Sequence, residues 1–288
     1  MPNHRIVLIT DSTCDIPIEW REQYQITVVP LTIIFGSQQY LDGVELSPEE
    51  FYRKLAQEPN HPSTSQPSPK MFLDAYHKAA GAGAEEIIVF TISSAMSGTV
   101  ESARQAAVES TVPVHVVDSK NNSMGLGWQV ITAARVREAG GNVEAILAAA
   151  EQVRKNMVYY VTLDTMEYLS RGGRIGGATK FLSSVLHIKP LILVNPATGG
   201  VLPSIPARSR LKAVEGLFRE FFNHIDKNLP LHIAVLHNAA LEEAKELAEW
   251  VKGEFSPAEI FITITSPVLG AHTGPKALAL CGYAAEVL

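Results

Sequence analysis

Cysteine is scarce in this sequence, and patterns that bind metals are absent from it. Only Cys14 and Cys281 occur among the 288 residues, close to opposite ends of the chain. They form no CxxC pair, and the nine histidines include no i, i+4 pair on a predicted helix. Neither a zinc site nor a redox-active disulfide is therefore predicted. We expect both thiols to be reduced and buried, and we predict neither a metal nor a bound cofactor.

Long apolar runs and an excess of positive charge are also missing. No uninterrupted apolar stretch approaches the roughly 20 residues that a membrane-spanning helix needs. No signal-peptide pattern precedes the first strand-like run, which is under way by Ile6. The net charge is −6, whereas nucleic acids and anionic membranes bind basic surfaces. We expect a cytoplasmic protein that binds no nucleic acid and contacts membranes at most transiently.

The composition is that of a folded chain with an aliphatic core. Hydrophobic residues make up 46% of the sequence, charged residues 19% and aromatic residues only 7%. A chain of 288 residues is long enough for one large domain or two moderate ones.

The order of apolar runs up to residue 155 predicts a parallel sheet covered by helices. Runs typical of buried strands cover residues 5–10, 26–35, 86–92 and 113–117. Helical patterns begin at Ser47 and Ser68 and cover residues 17–24, 99–110, 123–139 and 142–155. A strand, a polar loop and a helix thus recur at least three times, as in parallel α/β sheets. The loops after residues 10, 92 and 117 should meet beyond the carboxyl ends of their strands, where such sheets bind ligands.

After residue 155 the pattern predicts an α/β unit with a mixed sheet. Strand-like runs cover residues 158–163, 188–194, 201–205, 231–236 and 260–264. The second and third of these runs flank a short turn, which predicts an antiparallel hairpin. Helices are predicted for residues 209–224, 240–253 and 275–288. The chain is therefore divided into an N-terminal unit, residues 1–155, and a C-terminal unit, residues 156–288.

Three hydroxyl-rich segments stand out, at residues 63–67, 93–99 and 270–275. Each is predicted to lie in a loop that leads into a helix. Hydroxyls and backbone N–H groups at a helix N-terminus suit an anion. Capping of the helix is the commoner reason for such a segment and explains any one of them alone, so the three form one anion site only if they meet in space.

Catalytic and nucleotide-binding patterns are weak. Ser97, His272 and Asp118 match a hydrolase triad by residue type alone, and the Gly-x-Ser-x-Gly elbow is missing. Neither a P-loop nor a dinucleotide-binding fingerprint is present. Arg171 and Arg174 lie among glycines, in a pattern that fits either a flexible surface turn or a guanidinium pair for a phosphate or an acidic partner.

A series of short motifs runs in order along the whole chain. They are residues 10–15 (Thr-Asp-Ser-Thr-Cys-Asp), 64–68 (Thr-Ser-Gln-Pro-Ser), 93–99 (Ser-Ser-Ala-Met-Ser-Gly-Thr), 118–119 (Asp-Ser), 169–174 (Leu-Ser-Arg-Gly-Gly-Arg), 189–190 (Lys-Pro) and 272–275 (His-Thr-Gly-Pro). In this order and spacing the chain resembles the DegV family, bacterial fatty-acid-binding proteins that include the acyl-carrier subunit of fatty acid kinase. One departure is Lys276, where many members of the family carry glycine.

The resemblance implies a fold and a binding site. The fold is DegV/dihydroxyacetone-kinase-like, with a three-layer α/β/α domain built on a parallel sheet and a two-layer α/β domain with a mixed sheet. A long-chain fatty acid would lie in an apolar tunnel between them. The residues implied for its carboxylate are Thr64, Ser65, Ser93, Ser94, Ser97, Gly98 and His272. Arg171 and Arg174 would contribute to docking of a kinase.

The function implied is that of a non-catalytic, monomeric carrier. It would present the fatty-acid carboxylate to a separate ATP-dependent fatty acid kinase, whose ATP site belongs to that partner. It would then carry the acyl-phosphate toward phospholipid synthesis. Two alternatives stay open from the residues alone: a lipid hydrolase or acyltransferase that uses Ser97 and His272, and a lipid-responsive regulatory protein.

Overall fold

Residues 5–58, 60–181 and 188–286 are described by the computed structural model. The strands are β1 (Ile6–Asp11), β2 (Thr27–Val29), β3 (Thr32–Phe35), β4 (Gln38–Leu41), β5 (Ser63–Ser65), β6 (Glu86–Thr91), β7 (Val114–Asp118), β8 (Val158–Thr162), β9 (Lys189–Val194), β10 (Val201–Ala207), β11 (Leu231–His237), β12 (Glu259–Ile264) and β13 (Leu278–Ala284). The α-helices are α1 (Ile18–Gln23), α2 (Pro48–Gln57), α3 (Pro69–Gly81), α4 (Thr99–Ala107), α5 (Ser123–Glu138), α6 (Val143–Lys155), α7 (Glu167–Arg171), α8 (Arg210–His224), α9 (Leu241–Phe255) and α10 (Pro267–Thr273). Short 3₁₀ turns cover Ser12–Cys14 and Gly176–Phe181.

The strands form three sheets. The first is parallel throughout, in the order β2-β1-β6-β7. The second is mixed, in the order β10-β9-β8-β13-β11-β12, with only the β11–β12 pair parallel among its described pairs. The predicted α/β class, with a parallel and a mixed sheet, is thus confirmed. A small antiparallel sheet, β4-β3-β5, was not predicted.

Helix α5 lies between the two large sheets. Every residue from 123 to 134 is buried, which is expected only of a helix covered on all sides. Its side chains share one hydrophobic cluster with Leu8 and Phe90 of the first sheet and with Val161 and Cys281 of the mixed sheet. Because this cluster crosses the predicted boundary at residue 155, the two-domain division stays a prediction.

Four helices cover the outer faces of the two large sheets. Helices α3 and α4 pack on the first sheet away from α5, around the buried Phe72 and Tyr76. Helices α8 and α9 pack on the outer face of the mixed sheet, around Phe221 and Leu247. Within the described ranges, no helix is long and apolar enough to cross a membrane.

The helix predicted for residues 275–288 is wrong. Its middle forms β13, which pairs with β8 and β11 inside the mixed sheet, and residues 287–288 lie outside the described ranges. All seven residues of β13 are buried, so the strand is apolar on both faces and its sequence lacks the alternation that marks a half-exposed strand. The helix in this part of the chain is α10, which begins earlier, at Pro267.

The loop predicted for residues 63–67 also needs correction. It contains β5, whose three polar residues pair with β3, and a strand this short carries no periodic signal. The run predicted over residues 26–35 is divided into β2 and β3, and Pro30 lies between the two strands.

The start of α2 gives a test of the fold. The Ser47 hydroxyl accepts a hydrogen bond from the Glu50 amide at 3.2 Å, and the Glu50 side chain accepts one from the Ser47 amide, which together form a capping box. Ser68 precedes α3 in the same backbone conformation but makes no capping hydrogen bond. We predict that Ser47→Ala lowers the free energy of unfolding by about 1 kcal/mol, and that Ser68→Ala lowers it by much less. Urea denaturation followed by circular dichroism measures both, and equal losses would contradict the assignment of the cap.

Candidate functional site

The loops at the carboxyl edge of the first sheet meet, as predicted. The Asp11 carboxylate at the end of β1 accepts a hydrogen bond from the Ile92 amide at 2.7 Å. The Ser93 amide donates to the Asn121 carbonyl at 2.8 Å. These contacts tie the loops after β1, β6 and β7 together.

A cavity of about 290 Å³ lies beside these loops, near the lower end of the roughly 300–1,000 Å³ common for small-molecule sites. Both halves of the chain contribute to it. Its apolar wall comes largely from buried residues of the mixed sheet, among them Val161, Ile192, Val194, Leu236 and Ala279. Its polar lining includes Thr64, Ser65, Gln66, Ser97, Asn122, Arg174 and His272. Because Ser65, Gln66 and Arg174 are exposed, the polar side is the one that faces solvent.

Thr64 and His272 form the central pair of the polar side. Thr64 lies on β5 opposite Ile33 of β3, and its Oγ1 is 2.8 Å from Nε2 of His272. His272 lies in the last turn of α10. The prediction that residues 270–275 form a loop before a helix is therefore wrong. Because these residues lie at the C-terminal end of α10, the helix dipole does not favour an anion there.

Burial keeps the His272 imidazole neutral. Removal from water, followed by the charges of Arg174 and His61, lowers the pKa of His272 to about 4. Nδ1 is buried without a hydrogen-bond partner, and a β-carbon on Gly172 would lie 2.1 Å from it. At neutral pH the imidazole carries one N–H, so the Thr64–His272 pair provides neutral hydrogen-bonding groups.

The remaining predicted hydroxyls divide into two groups. Ser65 and Ser97 line the cavity, and Ser97 Oγ is 2.8 Å from the Thr99 hydroxyl at the start of α4. Ser93 and Ser94 are not among the lining residues. The Ser93 hydroxyl donates to the Gly199 carbonyl at 2.9 Å and so fixes the β9–β10 turn.

Ser94 and Gly98 support the loops around the cavity. The Ser94 hydroxyl donates to Asp118 at 2.6 Å, which joins the loops after β6 and β7. At Gly98 a β-carbon would lie 2.2 Å from the amide oxygen of Gln66. Glycine there gives the Gln66 side chain room to reach Ser102, to which it donates at 3.0 Å.

The alternative catalytic triad is not assembled. His272 Nε2 contacts Thr64, Ser97 contacts Thr99, and Asp118 accepts from Ser94. A nucleophile and its base need to hydrogen-bond each other and a third, orienting group, and these three residues bond elsewhere. The hydrolase interpretation through Ser97 and His272 therefore lacks its geometry.

The two predicted docking arginines lie in different surroundings. Arg174 lines the cavity and donates to the carbonyls of Met96, at 3.2 Å, and Gly172, at 2.8 Å. It thus bridges two loops beside His272 and brings a positive charge to the polar side. Arg171 ends α7, is exposed, and pairs with Glu167 at 2.8 Å.

Several polar residues that line the cavity were not predicted as site residues, among them Gln66, Asn122, Asn238 and Thr265. Gln66 lies within the segment at residues 63–67 and Asn122 follows the motif at residues 118–119 by three residues, and this proximity is the only signal for these two in the sequence. Lys276, the departure from the family pattern, is exposed and lies outside the lining residues. Its φ of +62° is in the region that glycine adopts most readily, which accounts physically for glycine at that position.

Comparison with known proteins supports one family. A family model described as "Uncharacterised protein, DegV family" matches residues 5–285. A DegV domain-containing protein of Streptomyces coelicolor is 35% identical over 279 residues, covering 96% of this chain and 98% of that protein. Protein DegV of Bacillus subtilis is 31% identical over 278 residues, with the same coverage of both chains.

Solved structures agree with the sequence relatives. A fatty-acid-binding DegV family protein from Thermus thermophilus matches with a TM-score of 0.91 at 33% identity, covering 98% of this chain and 100% of that chain. DegV of Bacillus subtilis, described as a fatty acid binding protein, matches with a TM-score of 0.90 at 30% identity and the same coverage. The family model and these relatives span nearly the whole chain, and the protein belongs to the DegV family.

Proposed function

We propose that this protein binds a long-chain fatty acid in the cavity between the sheets. The observation that carries the proposal is an apolar wall that continues into a cluster of neutral hydrogen-bonding groups. The acyl chain would lie along the mixed sheet, and the carboxylate would lie at Thr64, Ser65, Ser97 and His272. The fatty-acid-binding relatives from Thermus thermophilus and Bacillus subtilis support the same ligand class.

The energetics assign different roles to the two sides of the cavity. Each buried CH₂ contributes roughly 0.8 kcal/mol, so a ~16-carbon chain gains more than about ten kcal/mol before the costs of ordering. Burial of the tail therefore dominates affinity. A carboxylate buried without donors would be costly, and hydroxyls beside a neutral imidazole reduce that cost. The Arg174 guanidinium adds a favourable charge at the same side.

We further propose that the protein is a cytoplasmic, monomeric carrier without a cofactor of its own. It would present the carboxylate to a separate ATP-dependent fatty acid kinase and carry the acyl-phosphate toward phospholipid synthesis. The missing nucleotide-binding fingerprints and the position of Arg174 beside the proposed head group support this role. Arg171, exposed near the same loop, is available to contact that partner.

Substitutions on the polar side test the head-group assignment. We predict that Thr64→Val and Ser97→Ala each weaken fatty-acid binding about tenfold, the loss expected of one hydrogen bond to a charged group. Ser94→Ala is the matched control, because Ser94 bonds Asp118 outside the cavity. Native mass spectrometry of protein purified without added lipid, followed by titration with palmitate, measures occupancy and affinity.

The outcomes separate the alternatives. Tight binding by Thr64→Val and Ser97→Ala, with a loss in Ser94→Ala, would show that the carboxylate lies elsewhere. If wild-type protein retains no fatty acid after incubation with palmitate, the carrier proposal fails. Covalent labelling of Ser97 by a fluorophosphonate would support the hydrolase instead.

The neutral state of His272 affects how the stability of the protein depends on pH. Its folded-state pKa of about 4 lies below the ordinary value of about 6.5, so as pH falls the unfolded chain takes up this proton first. Wild-type protein should therefore lose stability, relative to His272→Gln, as pH falls from about 6.5 to about 4. Urea denaturation of both proteins at a series of pH values measures the difference. Parallel profiles would mean that His272 is not held neutral by the fold.

A further inference from the structure

The motif at residues 10–15 is one that the proposed site has not used. None of its residues lines the cavity. Two of its carboxylates, on Asp11 and Asp15, are nevertheless buried, with exposed fractions of 0% and 8%. Because burying a carboxylate costs free energy unless it is well partnered, the partners of these groups indicate what they do.

Asp15 joins three elements that are distant in sequence. One carboxylate oxygen accepts from the Ser266 amide at 2.9 Å, and the other accepts from the Ser123 hydroxyl at 2.5 Å. The Asp15 carbonyl also accepts from the Thr263 hydroxyl at 3.2 Å. Ser123 begins α5 and Ser266 immediately precedes α10. One side chain, just after the 3₁₀ turn that follows β1, therefore connects to the starts of both helices.

Helix α10 carries this contact to the cavity. The Ser266 side chain makes no capping hydrogen bond to α10, whereas its amide donates to Asp15 and its side chain also interacts with that carboxylate. Asp15 therefore helps to fix this end of the helix, together with the Tyr52 hydroxyl, which donates to the Thr265 carbonyl at 3.1 Å. Val268, Leu269 and His272 all line the cavity. A shift at the start of this seven-residue helix would move His272 relative to Thr64.

A second contact runs from Asp15 to the cavity wall. The Ser123 hydroxyl interacts with the Tyr159 hydroxyl as well as with Asp15, and Tyr159 lines the cavity. Asp15 is therefore linked to the apolar wall through Ser123 and to the Thr64–His272 pair through α10.

We propose that Asp15 is a positioning residue for the ligand site, which holds α10 so that His272 stays seated between Thr64 and Gly172. This inference rests on the proposed fatty-acid function for its binding readout. It adds a role for a buried carboxylate that the ligand itself does not touch.

The charge state of Asp15 fits a positioning role. Burial raises its pKa to about 7, against the lowering effect of its hydrogen bonds and of Arg21. The other titratable groups coupled to it are Cys14, Asp42, Tyr52, Tyr159 and Cys281. A folded-state pKa above the ordinary value means that Asp15 stabilises the fold less as pH rises from about 4 to about 7. An amide of the same shape would avoid that loss while keeping an acceptor for Ser266.

The test compares Asp15→Ala with Asp15→Asn. The alanine variant removes both contacts, and we expect it to bind palmitate at least tenfold more weakly than wild type. The asparagine variant keeps an acceptor for the Ser266 amide, and we expect it to bind within about threefold of wild type. Displacement of a fluorescent fatty acid measures the affinities.

The titration of the His272 imidazole distinguishes a loss of positioning from a general loss of stability. We expect its ¹H–¹⁵N signals, assigned by their loss in His272→Gln, not to titrate between pH 5 and 8 in wild type and Asp15→Asn. In Asp15→Ala they should titrate in this range, because the ring becomes accessible to water. Glu259→Ala is the control, since Glu259 pairs with Arg135 and His232 away from the cavity. This variant should lower stability without changing the titration of His272 or the affinity for palmitate.

Ser266→Pro covers the case in which Asp15→Ala does not fold. The φ of Ser266 is −55°, which proline adopts, and the substitution deletes the N–H that donates to Asp15 together with the Ser266 hydroxyl. Ser266→Ala, which removes the hydroxyl alone, separates the two contributions. Ser266→Pro should reproduce the weaker binding and the His272 titration. Wild-type affinity for palmitate and no titration of His272, in whichever of Asp15→Ala and Ser266→Pro folds, would overturn the proposal. Equal changes in Glu259→Ala would also overturn it. If wild type binds no fatty acid, the function fails separately, while the His272 signals still test the positioning.

Discussion

Burial of α5 on all sides is the constraint on which the rest of the structure depends. Residues 123–134 have no exposed face, so the helix is stable only when the parallel sheet covers one side and the mixed sheet covers the other. This packing brings the carboxyl edge of the first sheet against the strands of the second. The cavity lies at that junction, with polar loops on one side and apolar strands on the other.

The polar side is built mostly from neutral hydrogen-bonding groups. Burial keeps His272 neutral, so its interaction with Thr64 does not depend on proton uptake at physiological pH. Arg174 is held by two backbone carbonyls and supplies the one positive charge among the described lining residues. Under the proposed function, neutral donors with a single arginine would orient the carboxylate and still allow its release, because a buried, tightly paired carboxylate would leave more slowly.

The sequence predicts the central strands and the family but not which hydroxyls reach the cavity. The apolar runs of β1 and β6 and the capping box at Ser47 are local signals, and the structure contains each of them. The role of Ser93 depends on Gly199, 106 residues away, and the position of His272 depends on where α10 ends. Strand β13 was misassigned because both of its faces are buried, and β5 was missed because three polar residues give no pattern.

The central claim is that an acyl chain lies against the mixed sheet with its carboxylate beside Thr64 and His272. A crystal structure of the protein with palmitate tests it most directly. The account predicts a carboxylate oxygen within hydrogen-bond distance of Thr64 Oγ1, and an acyl chain that contacts Val161, Ile192 and Leu236. A chain bound in the opposite direction, or palmitate bound outside this cavity, would contradict it.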